Sequence, residues 1–350
     1  MGMATPPAMS AVAPIDADDP AIRAARHPVA AFLLRRVGGA VLSLVAATIL
    51  IFIATNVLPG NAAVVVLGKN ATPAQVHKLE SELGLSHSEV RRYASWLGGM
   101  LHGDFGQSAV AVAEGRPDAS ISGTLASPLA DSGILAGLTA ILLIPLTLAL
   151  GALAGLRAGR RADHLISVPA LVAGGLPEFV TGTALIFVFF TALKVLPPVA
   201  LLGPGQSPFT TPKALILPIL TLLAVAVGAG VRQVRAGMIE VLQQDYVLFA
   251  RLNGIPELRV LLRYALRNAL APSVQIIAQN LQYLVGGIIV VESVFSYPGI
   301  GTYLVNAVTS RDVNEVQAAA MILATLYVGI NIVADLIVMF LVPRLRTAMS

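Results

Sequence analysis

Six long apolar runs divide this chain of 350 residues, and they constrain its fold more than any motif does. They cover residues 39–58, 133–156, 165–193, 214–231, 269–291 and 316–342. About 20 helical residues rise far enough to cross a ~30 Å hydrocarbon layer. Inside that layer only helices and closed barrels satisfy their own backbone groups. Runs of this length without alternation predict six membrane-spanning helices in an all-α membrane protein. Composition agrees, with 56% hydrophobic and 12% charged residues, about half the charge of a soluble domain. Too little polar surface remains for a water-soluble enzyme. The basic residues sit in short blocks between the apolar runs, which argues against a nucleic-acid surface. The chain has no cysteine, so disulfides, thiolate metal sites and a Cys nucleophile are excluded.

Charge sets the expected orientation. With the N-terminus in the cytoplasm, inside segments hold 15 of the 23 Lys and Arg residues and outside segments hold 8. Five of those 8 lie in the long segment 60–132, where the positive-inside rule is weak. Both termini are therefore expected inside. Residues 1–30, rich in Ala and Pro and carrying Asp16, Asp18 and Asp19, read as a disordered tail rather than a cleaved leader. A first span (31–58) follows, then an external segment (59–132). A core of five spans (133–346) comes last, with a cytoplasmic loop at 232–267 and an external loop at 292–315. In the external segment, Thr72 with Gln75 and Ser86 with Glu89 form capping-box signatures. They predict short helices over 73–83 and 87–100. These helices either lie on the outer membrane surface or form an apron for a partner.

The cytoplasmic loop carries the most information. Val241, Leu242, Val247, Phe249 and Leu252 recur at helical spacing through residues 238–252. Asn253-Gly254 supplies a left-handed stop, and Pro256 restarts a helix. Leu258, Leu261, Leu262 and Ala265 then share one face, with Arg259, Arg263 and Arg267 along another. Exposed Phe249 and Leu252 need cover from a membrane surface or another protein.

The run Asp245-Tyr246-Val247-Leu248-Phe249-Ala250-Arg251-Leu252-Asn253-Gly254, followed by Arg267-Asn268-Ala269-Leu270-Ala271-Pro272, resembles the coupling loop of ABC-importer permeases. Leu248-Phe249-Ala250 stands where the family has Glu-Ala-Ala. The peptide-importer branch commonly has Tyr-Val-x-x-Ala-Arg-x-x-Gly there. Further resemblance lies in Arg35-Arg36 with Leu58-Pro59-Gly60 (Asn61 replacing the usual Asp) and Leu83-Gly84-Leu85. It continues through Tyr93-x-x-Trp96, Gly103-Asp104-Phe105-Gly106-x-Ser108, and Val291 to Gly301 with Arg311-Asp312. Asn331-x-x-x-Asp335 and Pro343-Arg344-x-Arg346 close it, with Val342 replacing Asp. In order and spacing the chain resembles the B-type permease subunit of dipeptide/oligopeptide ABC importers.

That resemblance implies a type I importer permease with six spans in the plasma membrane of a prokaryote. It implies as partners a second, C-type permease, one or two cytosolic ABC ATPases and an extracytoplasmic substrate-binding protein that delivers peptide. The chain itself would be non-catalytic and without a cofactor, ATP and Mg being bound by the ATPases. Consistent with this, Gly68-Lys69 lacks the earlier Gly and the following hydroxyl of a phosphate loop. By the same resemblance, residues 245–257 couple to the ATPase, naming Asp245, Tyr246, Phe249, Ala250, Arg251, Gly254, Glu257 and Arg259. The turn Tyr297-Pro298-Gly299-Ile300-Gly301 would meet the binding protein, although it also fits a re-entrant turn packed on its own helices.

Polar residues inside the spans suggest a path. Gln275, Gln279 and Gln282 form a stripe on one helix, which either bonds other helices or lines a wet cavity. Neutral amides donate and accept without trapping a charge. Glu178, after Gly174-Gly175 and Pro177, is a candidate gate or path residue. Asn331 and Asp335, one turn apart, read as a structural polar pair. On physics alone the alternative is a proton-coupled secondary transporter of small polar solutes. All five His lie outside the helices or at their ends, which disfavours it.

Overall fold

The computed structural model describes residues 28–56, 72–82, 87–116, 120–200, 202–203, 206–256, 259–260, 264 and 266–341. Twelve helices are used below. They are α1 (Pro28–Asn56), α2 (Pro73–Glu82), α3 (Glu89–Leu101), α4 (Ala109–Ala113), α5 (Ile121–Leu156), α6 (Arg161–Gly175), α7 (Glu178–Ile186), α8 (Pro212–Leu242), α9 (Asp245–Leu252), α10 (Leu266–Phe295), α11 (Ile300–Ser310) and α12 (Val313–Leu341). Among the described residues there is no β-strand, only an isolated bridge between Gln107 and Ser120.

Four helices are long and apolar enough to cross a membrane on their own, and six spans result if each of two bent pairs counts as one. The run expected to continue over 165–193 is instead broken. Helix α6 ends at Gly175, Leu176 and Pro177 are extended, and the chain restarts at Glu178 after a 110° bend. Proline disfavours the helical region for the residue before it, so Pro177 ends the helix rather than loosening it. The second bent pair, α10 with α11, turns by 68°.

Helix α8 is the centre. Of its most apolar window, 67% is buried, against 11% for α1 and for α12. Lipid supplies no hydrophobic force between helices, so close backbone approach and hydrogen bonds must hold them together. Small residues provide that approach. Gly151 and Gly155 of α5 lie against Val234 and Met238 of α8, where a Cβ would come within 2.6 and 2.7 Å of their Cβ atoms. Gly228 of α8 lies so close to α6 that a Cβ would sit 2.5 Å from the Ala170 carbonyl oxygen. Around this contact Leu135, Leu143, Leu217, Leu222, Leu284, Ile288 and Phe295 form the main apolar core.

Helix α1 rests on α12 at the edge, with Leu34, Leu42 and Leu50 facing outward. At its far end Phe52 meets Tyr93 and Trp96 of α3, ring centroids 5.3 and 5.8 Å away. The Tyr93 hydroxyl and Thr48 Oγ1 are 2.7 Å apart, and Arg92 donates to Asn56. The Thr72–Gln75 capping box forms, with Thr72 N–H donating to Gln75 Oε1 at 2.9 Å. The second expected box does not open its helix: α3 starts at Glu89 with Ser88 as N-cap, and Ser86 lies outside the described residues.

Candidate functional site

Three places hold the residues singled out by the sequence, and the structure treats them differently.

At the base of α8 the chain breaks at Gln243-Gln244 and restarts as α9, so the helix expected over 238–252 is two helices. Val247 and Ala250 are buried against Leu242, Ile255 and Val260. Ala250 is small because it lies in that contact. The opposite face is uncovered: Phe249 is 62% and Leu252 72% exposed, with Leu248 and Tyr246 beside them. Asp245 occupies the first turn and Arg251 the last, each complementing the helix dipole. Asn253 donates from its side chain to the Phe249 carbonyl at 2.8 Å. Gly254 takes φ +68°, the left-handed conformation that reverses the chain without Cβ strain. Its N–H reaches the Arg251 carbonyl, and Ile255 N–H reaches that of Ala250. Pro256 then accepts from the N–H groups of exposed Arg259 and of Val260. Glu257, Leu258 and Arg263 lie outside the described residues.

Two ends of the membrane core meet just above α9. Arg235 of α8 grips Asp163 of α6 with both planar nitrogens, Nε to Oδ1 at 2.6 Å and Nη2 to Oδ2 at 2.7 Å. Asp163, 2% exposed, also accepts from Gly159 N–H and Ser167 Oγ, each at 2.8 Å. The sequence reading used Arg235 only as a topological charge. The available signal was a lone acid in the first turn of an apolar helix.

The first residue of α7 faces α10 and α12 across a cleft of about 720 Å³. Glu178, Gln279 and Gln282 all line it, with Tyr283, Gly287 and Tyr327. Tyr283 lines the cleft beside the Glu178 carboxylate. Gly287 leaves room for that carboxylate, whose Oε1 would be 3.0 Å from a Cβ there. Three of the four candidate path residues are thus gathered around one cavity. The side chain of Gln275 lies outside the described residues. Asn280, on the neighbouring face, is buried against Gly230 of α8.

At the opposite end, the turn that fits either a contact for a binding protein or a re-entrant turn packs inward on its own helices. Tyr297, Gly299, Ile300 and Gly301 are buried and Pro298 is half-buried. Glu292, itself 0% exposed, is the reason. It accepts from Ser132 Oγ, from Gly301 N–H at 2.7 Å and from Thr302 N–H. Ser132 Oγ also accepts from Ile300 N–H at 2.8 Å, and Tyr297 donates to the Asp131 carbonyl at 2.7 Å. Orphan N–H groups of a buried helix start must be satisfied, and α5 and Glu292 do this for α11. A Cβ on Gly299 or Gly301 would collide with Glu292, and one on Gly301 would also lie 2.5 Å from Ile289 Cα.

Asp312 works in the same way nearby. It accepts from Ser108 Oγ at 2.6 Å, Val110 N–H at 3.0 Å and Glu315 N–H at 3.1 Å, so it fastens α4 while capping α12. The Asn331–Asp335 pair is corrected as well. Asp335 binds Arg36 of α1, Nη2 to Oδ1 at 2.6 Å, while Asn331 donates to the Tyr327 carbonyl one turn back. A guanidinium satisfies both carboxylate oxygens, which an amide one turn away does not.

Comparison with known proteins agrees with this architecture. Residues 147–347 match the family described as binding-protein-dependent transport system inner membrane component, and residues 29–114 match the N-terminal region of such membrane components. A Brucella ovis protein described as a peptide permease is 33% identical over 310 residues, covering 87% of this chain and 95% of that one. The probable D,D-dipeptide transport system permease protein of Escherichia coli K12 is 31% identical over 337 residues, 89% and 96% of the two chains. The probable peptide ABC transporter permease protein of Sinorhizobium fredii is 31% identical over 315 residues, 90% and 99%. The chain belongs to the family of binding-protein-dependent transport system inner membrane components, the permeases of ABC transporters. It is accordingly a multi-pass protein of the inner membrane.

Proposed function

We propose that this chain is the B-type permease subunit of an ATP-driven importer of dipeptides or short oligopeptides. It forms half of the translocation path, and a C-type permease forms the other half. Six spans leave both termini in the cytoplasm, each bent helix pair serving as one span. Helix α9 docks in a groove of a cytosolic ATPase, which holds ATP and Mg, and an extracytoplasmic binding protein delivers the peptide.

The observation that carries this reading is the two-sided α9. One face is locked to the base of α8 through Val247 and Ala250, and the other presents Leu248, Phe249 and Leu252, each more than half exposed. A helix fixed on one side and apolar on the other transmits displacement from a partner to the membrane core. The Asp163–Arg235 pair carries that displacement from α8 to α6, and the α6–α7 break bearing Glu178 lies at the far end of α6. The cleft with its glutamine amides supports passage of a peptide backbone.

Purification of the chain in mild detergent from its own cells, with mass spectrometry of what accompanies it, tests the proposal. A second permease and an ATPase carrying a phosphate loop are expected. A homo-oligomer without any ATPase would overturn it in favour of a secondary transporter.

A further inference from the structure

The cleft between α7 and α10 has an uneven wall. Glu178 is the one charged side chain among its described lining residues; the others are amides, tyrosines, glycines and aliphatic groups. Its position is built rather than incidental. Pro177 fixes the restart of the chain, Glu178 sits in the first turn of α7, Tyr283 lines the cleft beside it, and Gly287 opens α10 beneath the carboxylate. A carboxylate in the first helical turn complements the helix dipole. Its field acts on whatever enters the cleft.

We propose that Glu178 is the specificity-determining residue of this cleft and engages the cationic N-terminal ammonium of a passing peptide. The assignment deepens the peptide-importer reading and rests on it. Gln282 and Gly287 are five residues apart on α10, about 7.5 Å along the axis at 1.5 Å per residue. Two extended residues span about 7 Å. A dipeptide whose ammonium lies at Glu178 therefore brings its remaining amide and carboxyl groups beside Gln282, whereas Gln279, eight residues from Gly287 and about 12 Å along the axis, is reached only by a longer peptide. A lone carboxylate also disfavours a second negative charge at that end, so it orients the peptide with its ammonium at α7.

The absence of cysteine gives a direct test. In the complete transporter in native membranes, Gln282→Cys is this chain's single thiol. Its reaction is followed with a cationic trimethylammonium methanethiosulfonate, an anionic sulfonate analogue and a neutral methyl analogue. After correction for their rates on a free thiol, the cationic reagent is expected to react about 10-fold or more faster than the anionic one. Adding Glu178→Gln should collapse that ratio toward one, and Glu178→Asp should keep most of it. The neutral reagent should react equally in all three, which reports an intact cleft. Uptake of a labelled dipeptide by cells carrying Glu178→Gln, without the cysteine, should fall several-fold and recover in Glu178→Asp. A ratio unchanged by Glu178→Gln overturns the assignment whether or not dipeptides enter. A ratio that collapses while the unmutated transporter takes up no dipeptide overturns the peptide reading and leaves a cation site.

Discussion

The cytoplasmic corner at α8–α9 and the outer corner at α10–α11 look alike as sequences and differ as structures. Each has an acidic residue, an aromatic, small residues and a proline or glycine turn between apolar helices. The first reads as a loop that meets a partner, and the second fits either such a loop or a re-entrant turn. The first leaves Phe249 and Leu252 uncovered; the second buries Tyr297 and Ile300 almost completely. The difference lies in what satisfies the polar groups of the turn. At the outer corner Glu292, Ser132 and the Asp131 carbonyl take up the Gly301 and Ile300 N–H groups and the Tyr297 O–H, so most donors of the turn are paired on burial, with the Thr302 hydroxyl left without a partner among the described residues. At the inner corner the turn closes on its own backbone through Gly254 and Asn253. An internal acid draws one loop in; a self-contained cap leaves the other available.

This contrast predicts that outer-corner variants damage the fold while inner-corner variants damage transport. The largest effect is expected for Glu292→Ala, which strands the Gly301 and Thr302 N–H groups and Ser132, at about 1–3 kcal/mol for each unpaired group. Thermal unfolding in detergent should show a sharply lowered midpoint and little protein in the membrane. A midpoint close to the parent would mean that the corner is not held by this carboxylate. Next comes Asp163→Ala, which leaves Arg235 without its partner. Breaking a buried pair costs about 3–5 kcal/mol, and Arg235 is still 32% exposed, so the lower end applies. Asp163→Ala with Arg235→Met should recover part of the midpoint but not the uptake rate, if the pair also transmits motion. Recovery of both would reduce it to a fold contact.

The inner corner should behave in the opposite way. Gly254→Val forces a β-branched residue to φ +68°, a local strain of about 1–3 kcal/mol. Membrane insertion should persist and uptake should vanish; normal uptake would contradict the role of this turn. Phe249→Ala should change stability least, within about 0.5 kcal/mol as for other surface positions, yet reduce uptake strongly. A lowered melting midpoint with normal uptake would reverse the assignment of the two corners.

Much of this architecture is legible in the residues because long apolar runs report helices whatever their neighbours are. The left-handed stop at Gly254 and the capping box at Thr72–Gln75 are legible for a similar reason, since each is decided within a few residues. What the runs do not report is where a span breaks or what a buried acid touches. Glu292 and Ser132 are 160 positions apart in the chain, and Asp163 and Arg235 are 72 apart. Asp335 reads locally as a partner of Asn331, yet it pairs with Arg36, 299 positions away. Two of the path candidates can be grouped from sequence because Gln279 and Gln282 share one helix face, whereas only the fold brings Glu178 to them. Tyr283 was missed because its hydroxyl acquires meaning only when α7 brings Glu178 to it.

The central claim is that the uncovered face of α9 is the surface to which the ATPase binds. Its most direct test uses a benzophenone maleimide on a single cysteine, placed at Phe249 in one variant and at Leu101, an exposed residue at the end of α3, in another, with illumination of the assembled complex in native membranes. The account predicts an adduct between position 249 and an ATP-hydrolysing chain, and none from position 101. An ATPase adduct from position 101, or none from position 249 in a complex that still contains the ATPase, would contradict it.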